Sequence, residues 1–162
     1  MIVDSGCSYV IVGHSERRQF FGETNQSVNQ KVKAALESGL VPIVCVGEML
    51  EDRESGKTKK VVTNQLVDGI DGLSKTDILR TIIAYEPVWS IGTGIIPKSD
   101  DLFKTISFIK KEKKNYKVLY GGSVNPKNIN QLKSINNIDG YLIGGASQDP
   151  KKFIDIIKKT YN

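Results

Sequence analysis

The chain has 162 residues, of which 39% are hydrophobic and 25% are charged, and these proportions are typical of one water-soluble domain with an ordinary core. Its longest apolar runs, at 41–46 and 82–85, are far shorter than the ~20 residues that cross a bilayer, and no basic-then-apolar leader opens the chain. We therefore expect a single cytoplasmic domain over residues 1–162, and the composition excludes an integral membrane protein.

The net charge of +5 raises the question of a nucleic-acid partner. Much of the excess lies around one predicted helix end, where lysines interact favourably with the helix dipole; these are Lys110, Lys111, Lys113, Lys114 and Lys117. Aromatic residues do not alternate with them, as a groove for a nucleic-acid strand would require. The pattern favours a solvated helix face, and a mildly basic surface that attracts small anions, over a nucleic-acid or membrane partner.

The two cysteines, Cys7 and Cys45, lie in or beside apolar segments, and their spacing is not that of paired metal ligands. We interpret both as buried, reduced thiols. The sequence thus predicts neither a disulfide nor a metal site.

Short β-branched runs alternate with longer segments of helical period along the chain. Strands are predicted at 9–13, 41–46, 80–85, 116–120 and 139–143. Helices are predicted at 26–37, 60–70, 100–113, 127–134 and 151–161. Because strands that alternate with helices usually pair in parallel and are buried on both faces, we expect an α/β fold of five βα units.

Parallel α/β folds place their chemistry at the carboxyl ends of the strands, and each predicted strand here runs into polar or glycine-rich residues. In chain order these ends read Gly13-His14-Ser15-Glu16-Arg17-Arg18, Cys45-Val46-Gly47-Glu48, Tyr85-Glu86-Pro87-Val88-Trp89, Tyr120-Gly121-Gly122-Ser123 and Gly144-Gly145-Ala146-Ser147. We expect the five ends to converge on one site.

These motifs, in this order and spacing, resemble the triosephosphate isomerase family over nearly the whole chain. The resemblance implies an incomplete TIM-type (βα)8 barrel, to which this chain contributes five parallel βα units. It implies the interconversion of dihydroxyacetone phosphate and glyceraldehyde 3-phosphate, a step of glycolysis and gluconeogenesis that needs no metal or cofactor.

The resemblance also assigns catalytic roles. Glu86 matches the base that moves a proton between two neighbouring carbons, and His14 matches the neutral imidazole at a helix start that polarises the substrate carbonyl. A solitary histidine is more often a structural residue, but the surrounding motif favours the catalytic interpretation.

The segment 87–97 matches a lid that closes over the substrate phosphate and excludes water. Its lid and clamp residues are Pro87, Val88, Trp89, Ile91, Thr93, Gly94 and, from the last strand end, Leu142. The C-terminal hinge Ile95-Ile96-Pro97 differs from the lysine-threonine-alanine common in the family. An ordinary surface loop is the alternative, although it would not explain Trp89 and Ile91.

Phosphate binding is implied for backbone N–H groups at glycine-rich positions, namely Gly92, Ser123, Gly144 and Gly145. The glycines could instead be simple turn formers. Glu16, Glu48 and Tyr120 are expected to support the site from behind, and for Arg18 a surface ion pair is an equal alternative.

The chain departs from the family in length, because a complete barrel of this type has eight strands and ~250 residues. The family's asparagine-x-lysine at the end of the first strand has no counterpart here, and loss of that cation would cost several orders of magnitude in rate. Two interpretations stay open: an isomerase of reduced activity, and an inert phosphate-binding or structural fragment. Since an open sheet exposes unpaired edges, we also expect a homo-oligomer that covers them, with a flattened or rearranged sheet as the alternative.

Overall fold

The computed structural model of the protein describes residues 1–112 and 116–161. A short 3-10 helix (Val3–Ser5) precedes β1 (Tyr9–Val12), α1 (Ser15–Phe20), α2 (Asn25–Glu37), β2 (Val41–Val46), α3 (Leu50–Glu54), α4 (Thr58–Gly69), α5 (Lys75–Arg80) and β3 (Ile82–Tyr85). A 3-10 turn (Val88–Ser90) then leads to α6 (Ser99–Glu112), β4 (Lys117–Tyr120), α7 (Ile129–Lys133), β5 (Gly140–Tyr141), a 3-10 helix (Gly145–Gln148) and α8 (Pro150–Tyr161).

The five strands form one parallel sheet in the order β1-β2-β3-β4-β5. In the register of the sheet, Val12 lies beside Val44, and Tyr85 lies beside Tyr120. All five strands therefore end along the same edge of the sheet. In the described part of the chain β1 and β5 each pair on one side only, so the sheet is open and does not close into a barrel.

The core lies where the central strands meet the helices. Val44, Ile83 and Val118 are fully buried at the middle of β2, β3 and β4, as parallel strands covered on both faces require. Helices α2, α4 and α6 pack against one another and against the sheet. The start of α2 is fixed by a capping box, in which Thr24 and Ser27 each accept a hydrogen bond from the other's backbone N–H.

The predicted fold class is confirmed, and every predicted strand and helix has a counterpart within a few residues. Two boundaries differ: Arg80 ends α5 instead of starting β3, and β5 is only Gly140–Tyr141. The predicted C-terminal end of the helix 100–113 lies outside the described residues, as do Lys113 and Lys114 of the basic cluster.

One prediction about the cysteines is wrong. Cys45 is buried in β2 as expected, but Cys7 is exposed, because it lies in the loop before an edge strand that packs on one side only. In the described residues no helix has the length and apolar character of a membrane span.

Candidate active site

Glu86 is the first residue after β3, and its backbone is held by the sheet on both sides. Its N–H donates to the Val46 carbonyl at 2.8 Å, while the next residue of the neighbouring strand end, Gly121, donates to the Tyr85 carbonyl at 2.9 Å. Only 2% of Glu86 is exposed. The carboxylate therefore projects from a rigid strand end into the interior of the site.

His14 lies opposite Glu86, at the start of α1. Its Nδ1 accepts a hydrogen bond from the Glu16 backbone N–H at 3.3 Å, so in a neutral ring the proton resides on Nε2. That Nε2 is 3.6 Å from Oε1 of Glu86. An N–H donor and a carboxylate acceptor thus face each other, slightly beyond direct hydrogen-bond distance.

The electrostatic surroundings make Glu86 a stronger base than an exposed glutamate. Burial raises the pKa of Glu86, and the neighbouring His14, the Cys45 thiol, the Ser15 backbone and Arg18 oppose this effect without reversing it. The second carboxylate oxygen, Oε2, is buried and accepts no hydrogen bond from the described residues. An oxygen in this state is available to take a proton from a bound molecule.

Two glycines leave the space that Glu86 occupies. A Cβ on Gly47 would lie 1.8 Å from the Glu86 carbonyl oxygen, and a Cβ on Gly121 would lie 2.8 Å from the Glu86 Cγ. The Gly121 position is also in contact with Leu142, at 3.4 Å. Leu142 and Glu86 consequently flank the same glycine, and the clamp role of Leu142 stays a prediction.

Arg18 ties the first two strand ends together beneath the site. Its Nε donates to the Gly13 carbonyl at 2.8 Å and its Nη1 to Asn25 at 2.8 Å, with a longer contact to the Cys45 carbonyl. The Gly13 N–H in turn donates to the buried carboxylate of Glu23 at 2.9 Å. Arg18 is therefore a scaffold residue bound to backbone carbonyls, and the alternative of a surface ion pair does not describe it.

Glu48 anchors the start of the segment 87–97. Its carboxylate is fully buried and accepts hydrogen bonds from the Tyr85 hydroxyl, at 3.0 and 3.1 Å, and from the Trp89 indole N–H, at 3.1 Å. Arg53 lies 3.8 Å from the same carboxylate and stacks over the Trp89 ring. The carbonyl of Glu48 also accepts the Val88 N–H. Glu48 thus connects the end of β2 to the segment that follows β3.

The segment 87–97 has buried ends and an exposed tip. Pro87, Ser90 and Pro97 are buried, whereas residues 92–95 are exposed. Gly92 and Gly94 adopt positive φ angles of 70° and 78°, which favour glycine and turn the tip back on itself. The segment thus has an exposed tip between two buried ends, and its role as a lid stays a prediction.

The glycine-rich end of β4 contacts this segment through the Ser123 N–H, which donates to the Ser90 Oγ, and the glycine-rich end of β5 belongs to the next strand of the sheet. The Ser123 carbonyl accepts from Asn128 at 2.9 Å, which fixes the first of the two loops. Gly144 and Gly145 are exposed, and a Cβ on either would have no atom within 4 Å. Open space next to backbone N–H groups at the start of a 3-10 helix is compatible with anion binding.

A cleft larger than the one beside Glu86 lies elsewhere, between β1, α2 and the N-terminal 3-10 helix. Its volume is about 440 Å³, and apolar residues such as Ile2, Val10 and Ala34 line much of it. The carboxylate of Glu86 and the imidazole of His14 do not line this cleft.

Comparison with known proteins agrees with this geometry. The family model described as triosephosphate isomerase matches residues 1–160. The triosephosphate isomerase of Dictyoglomus turgidum is 50% identical over 98% of this chain and 67% of its own length; that of Dictyoglomus thermophilum is 47% identical with the same coverage. The Citrifermentans bemidjiense enzyme is 49% identical over 98% of this chain and 66% of its own length.

The chain belongs to the triosephosphate isomerase family. It spans about two thirds of the length of the curated relatives it matches. Its five parallel strands and alternating helices form part of a TIM barrel, which is why the sheet is open.

Within this family framework the structure brings most of the predicted site residues to one edge of the sheet. Glu86, His14, Leu142, Ser123 and Tyr120 all lie at or just beyond strand ends. Glu16 is different, because its side chain is exposed and its contact with the site is a backbone N–H donated to His14.

Sequence reasoning missed three contributors to the site. Gly47 and Gly121 are the close-approach glycines beside Glu86, and Ser90 contacts both the lid and the loop after β4. A glycine directly after each buried strand was a visible signal for the first two. Nothing in the sequence pattern distinguishes Ser90 from an ordinary loop serine.

Proposed function

We propose that this protein interconverts dihydroxyacetone phosphate and glyceraldehyde 3-phosphate. The observation that carries the proposal is the buried, basic carboxylate of Glu86 facing Nε2 of His14 at 3.6 Å. A three-carbon sugar between the two groups would present a C–H bond to the carboxylate and a carbonyl or hydroxyl oxygen to the imidazole. The names of the relatives support the same reaction.

The proposed reaction is a proton transfer in two steps. Glu86 takes a proton from the carbon next to the carbonyl, and the electron pair of that C–H bond forms the double bond of an enediolate. His14 donates from Nε2 to the oxygen on which negative charge develops. Glu86 then returns its proton to the carbon of the former carbonyl, while His14 takes back a proton at Nε2 from the hydroxyl on the neighbouring carbon, whose oxygen becomes the new carbonyl. Glu86 and His14 return to their initial protonation states at the end of the reaction, so it requires no cofactor.

Phosphate recognition is proposed for backbone N–H groups of Gly92, Ser123, Gly144 and Gly145. Support comes from the open space around Gly144 and Gly145 and from the exposed, doubly hinged tip that carries Gly92. Closure of the segment 87–97 over the anion would exclude water and protect the enediolate from loss of phosphate.

The decisive experiment is a coupled isomerase assay on protein purified from a host that lacks its own isomerase. Glu86→Gln is the matched variant, since it keeps the shape of the side chain and removes the base. We expect measurable turnover in the wild type and a loss of about 10³-fold or more in the variant. Because the host supplies no isomerase, equal rates for the two proteins would show that Glu86 is not the base and would refute the proposal.

The alternative is a phosphate-binding or structural fragment without turnover. One observation favours it: the neighbouring groups that lower the pKa of Glu86 in the described residues are His14, Cys45, Ser15 and Arg18, and none of them is a lysine. Titration with inorganic phosphate separates the two functions, because binding without turnover would support the alternative.

We also propose that the protein is a single domain that associates with a second copy. Support comes from β1, which is unpaired on one side and carries the exposed apolar side chains of Tyr9 and Ile11. Both signs of charge line the adjacent cleft, with Arg17 and Lys31 beside Glu23, so two copies could meet there without like-charge repulsion.

A further inference from the structure

Ser90 lies at the start of the lid segment, yet none of its surface is exposed. It ends the 3-10 turn Val88–Ser90 and immediately precedes the exposed lid tip. A fully buried hydroxyl requires hydrogen-bond partners, since an unpaired one would be unfavourable.

Its Oγ has three partners. It donates to the Ile95 carbonyl at 2.6 Å, at the far end of the lid tip. It lies 3.0 Å from the Tyr120 hydroxyl and accepts the Ser123 backbone N–H at 3.3 Å. A serine hydroxyl has one proton and two lone pairs. Because the proton goes to Ile95, the Tyr120 hydroxyl must be the donor in its contact, and the bonding capacity of Ser90 is then fully used.

The loop after β4 is built closely around this pair of hydroxyl groups. A Cβ on Gly122 would lie 2.3 Å from the Tyr120 hydroxyl oxygen and 2.7 Å from the Ser90 Oγ. Any side chain at Gly122 would therefore displace the contact. Burial raises the pKa of Tyr120 to about 12, so its hydroxyl keeps the proton that it donates.

The lid tip has few other links. Thr93 Oγ1 donates to the Ser90 carbonyl and accepts the Ile95 N–H, and both of these bonds stay within the tip. Pro97, which follows the tip, has no N–H to donate. The Ser90 hydroxyl thus joins the two ends of the tip and connects them to the loop that carries Ser123.

We propose that Ser90 is a positioning residue that competes with the substrate phosphate for the Ser123 N–H. This inference rests on the proposed function, which assigns that N–H to phosphate. When phosphate takes the N–H, one of the lone pairs of Ser90 is released, and the link between the tip and the loop after β4 is weakened. Phosphate binding and lid release are thereby coupled through one hydroxyl group.

The test compares Ser90→Ala with the wild type by amide hydrogen exchange and by titration with inorganic phosphate, both followed by NMR. Without phosphate, the Ser123 amide should exchange about fivefold faster in the variant, the effect of one lost hydrogen bond. Inorganic phosphate should bind about threefold more tightly to the variant, because it no longer has to displace the Ser90 Oγ from the Ser123 N–H. A purely structural role predicts equal or weaker binding.

Two further variants keep the test decisive. Ser90→Ala leaves the Tyr120 hydroxyl without its acceptor. The double variant Ser90→Ala with Tyr120→Phe removes both hydroxyl groups, and it should bind phosphate as tightly as Ser90→Ala does. Thr81→Val removes a buried hydroxyl that bonds only to Asp77 in α5, and it should change neither readout.

The outcomes separate this inference from the function on which it rests. Unchanged exchange at Ser123, or phosphate binding that is equal or weaker in Ser90→Ala, would overturn the competition while leaving the isomerase proposal intact. A wild type that binds no phosphate at all would overturn both, because the proposed anion site would not exist.

Discussion

The carboxyl group of Glu86 makes the function and the stability of the protein depend on pH in opposite ways. Because burial raises its pKa, the folded state binds the proton more readily than the unfolded state does. The free energy of unfolding therefore falls as the pH rises from the ordinary glutamate pKa of about 4.3 through the raised pKa of Glu86. The ionised form needed for catalysis is the less stable one.

Glu86→Gln should therefore stabilise the protein at neutral pH. The free energy of unfolding of the variant should exceed that of the wild type at pH 8, and the difference should shrink towards pH 4, where Glu86 itself is neutral. Urea unfolding at several pH values measures this. Glu51→Gln, in an exposed position on α3, is the matched control and should show no such trend.

Gly121→Ala should inactivate the site without unfolding the protein. The added Cβ would lie 2.8 Å from the Glu86 Cγ and 3.2 Å from its Oε1, so the carboxylate must move. A displacement of about 1 Å at a base costs on the order of 10²-fold in rate, which the coupled assay would register as lower kcat. Retained wild-type turnover would show that the position of Glu86 is not critical.

The matched control is Gly69→Ala. A Cβ there would be 3.6 Å from Val28, an ordinary contact, and Gly69 lies at the end of helix α4 with no positive φ. Alanine at this position should leave activity unchanged and stabilise the helix by about 0.5 kcal/mol.

The proximity of Glu86 and His14 could be predicted from the sequence because both lie within long motifs at strand ends, where a parallel sheet gathers polar side chains. The role of Arg18 could not be decided in this way. Its partners are the backbone carbonyls of Gly13 and Cys45, and carbonyls carry no signature in the sequence. The exposure of Cys7 was missed for a related reason, since an apolar neighbourhood in sequence does not show which side of a strand is covered.

Among the secondary-structure elements, those with several helical turns or strongly apolar strands were predicted well. The short helix α7 was predicted because Pro126 marks its start. Helices α3 and α5 were not assigned, and only the start of α1 was expected, because five or six residues are too few to show a helical period. Their positions follow from tertiary contacts instead. Helix α3, for example, carries Arg53, which reaches Glu48, Trp89 and the exposed Asp101 of α6.

The junction of α3, β3 and the lid depends on the charge of Glu48. In Glu48→Gln the amide oxygen can still accept from the Tyr85 hydroxyl and the Trp89 indole, but the negative charge that faces Arg53 is lost. Arg53 loses its buried ion-pair partner, and we expect a loss of about 1–3 kcal/mol in the free energy of unfolding. The emission of Trp89, the single tryptophan of the chain, should shift because its hydrogen-bond acceptor is no longer charged.

Asp101→Asn provides the comparison for this prediction. It removes the exposed partner of Arg53 and leaves Glu48 in place. Since partly exposed ion pairs contribute under about 1 kcal/mol, this variant should resemble the wild type in stability and in Trp89 emission. If the two variants change stability and Trp89 emission equally, the charge network as a whole, and not Glu48 alone, holds the start of the segment 87–97 in place.

The protein as a whole has a well-packed central sheet and two edge strands, β1 and β5, that pair on one side only in the described residues. The middle residues of β2, β3 and β4 are buried, while β1 exposes Tyr9 and Ile11 and β5 is reduced to two residues. The parallel topology follows from the alternation of strands and helices in the sequence. The sequence pattern does not show what would cover the two edge strands, because it gives no direct information about binding partners.

We expect the wild type to associate through β1, and Ile11→Lys to shift it to monomers. Ile11 is 49% exposed on the edge strand, and a charge there would have to be buried in any assembly that covers β1, an arrangement that natural edge strands use to prevent pairing. Light scattering after size exclusion measures the mass. Val67→Lys, at a residue 52% exposed on α4, introduces the same charge away from the edge and should leave the mass unchanged.

A monomeric wild type would rule out association through β1. If the wild type is an oligomer and Ile11→Lys has the same mass, the interface lies elsewhere.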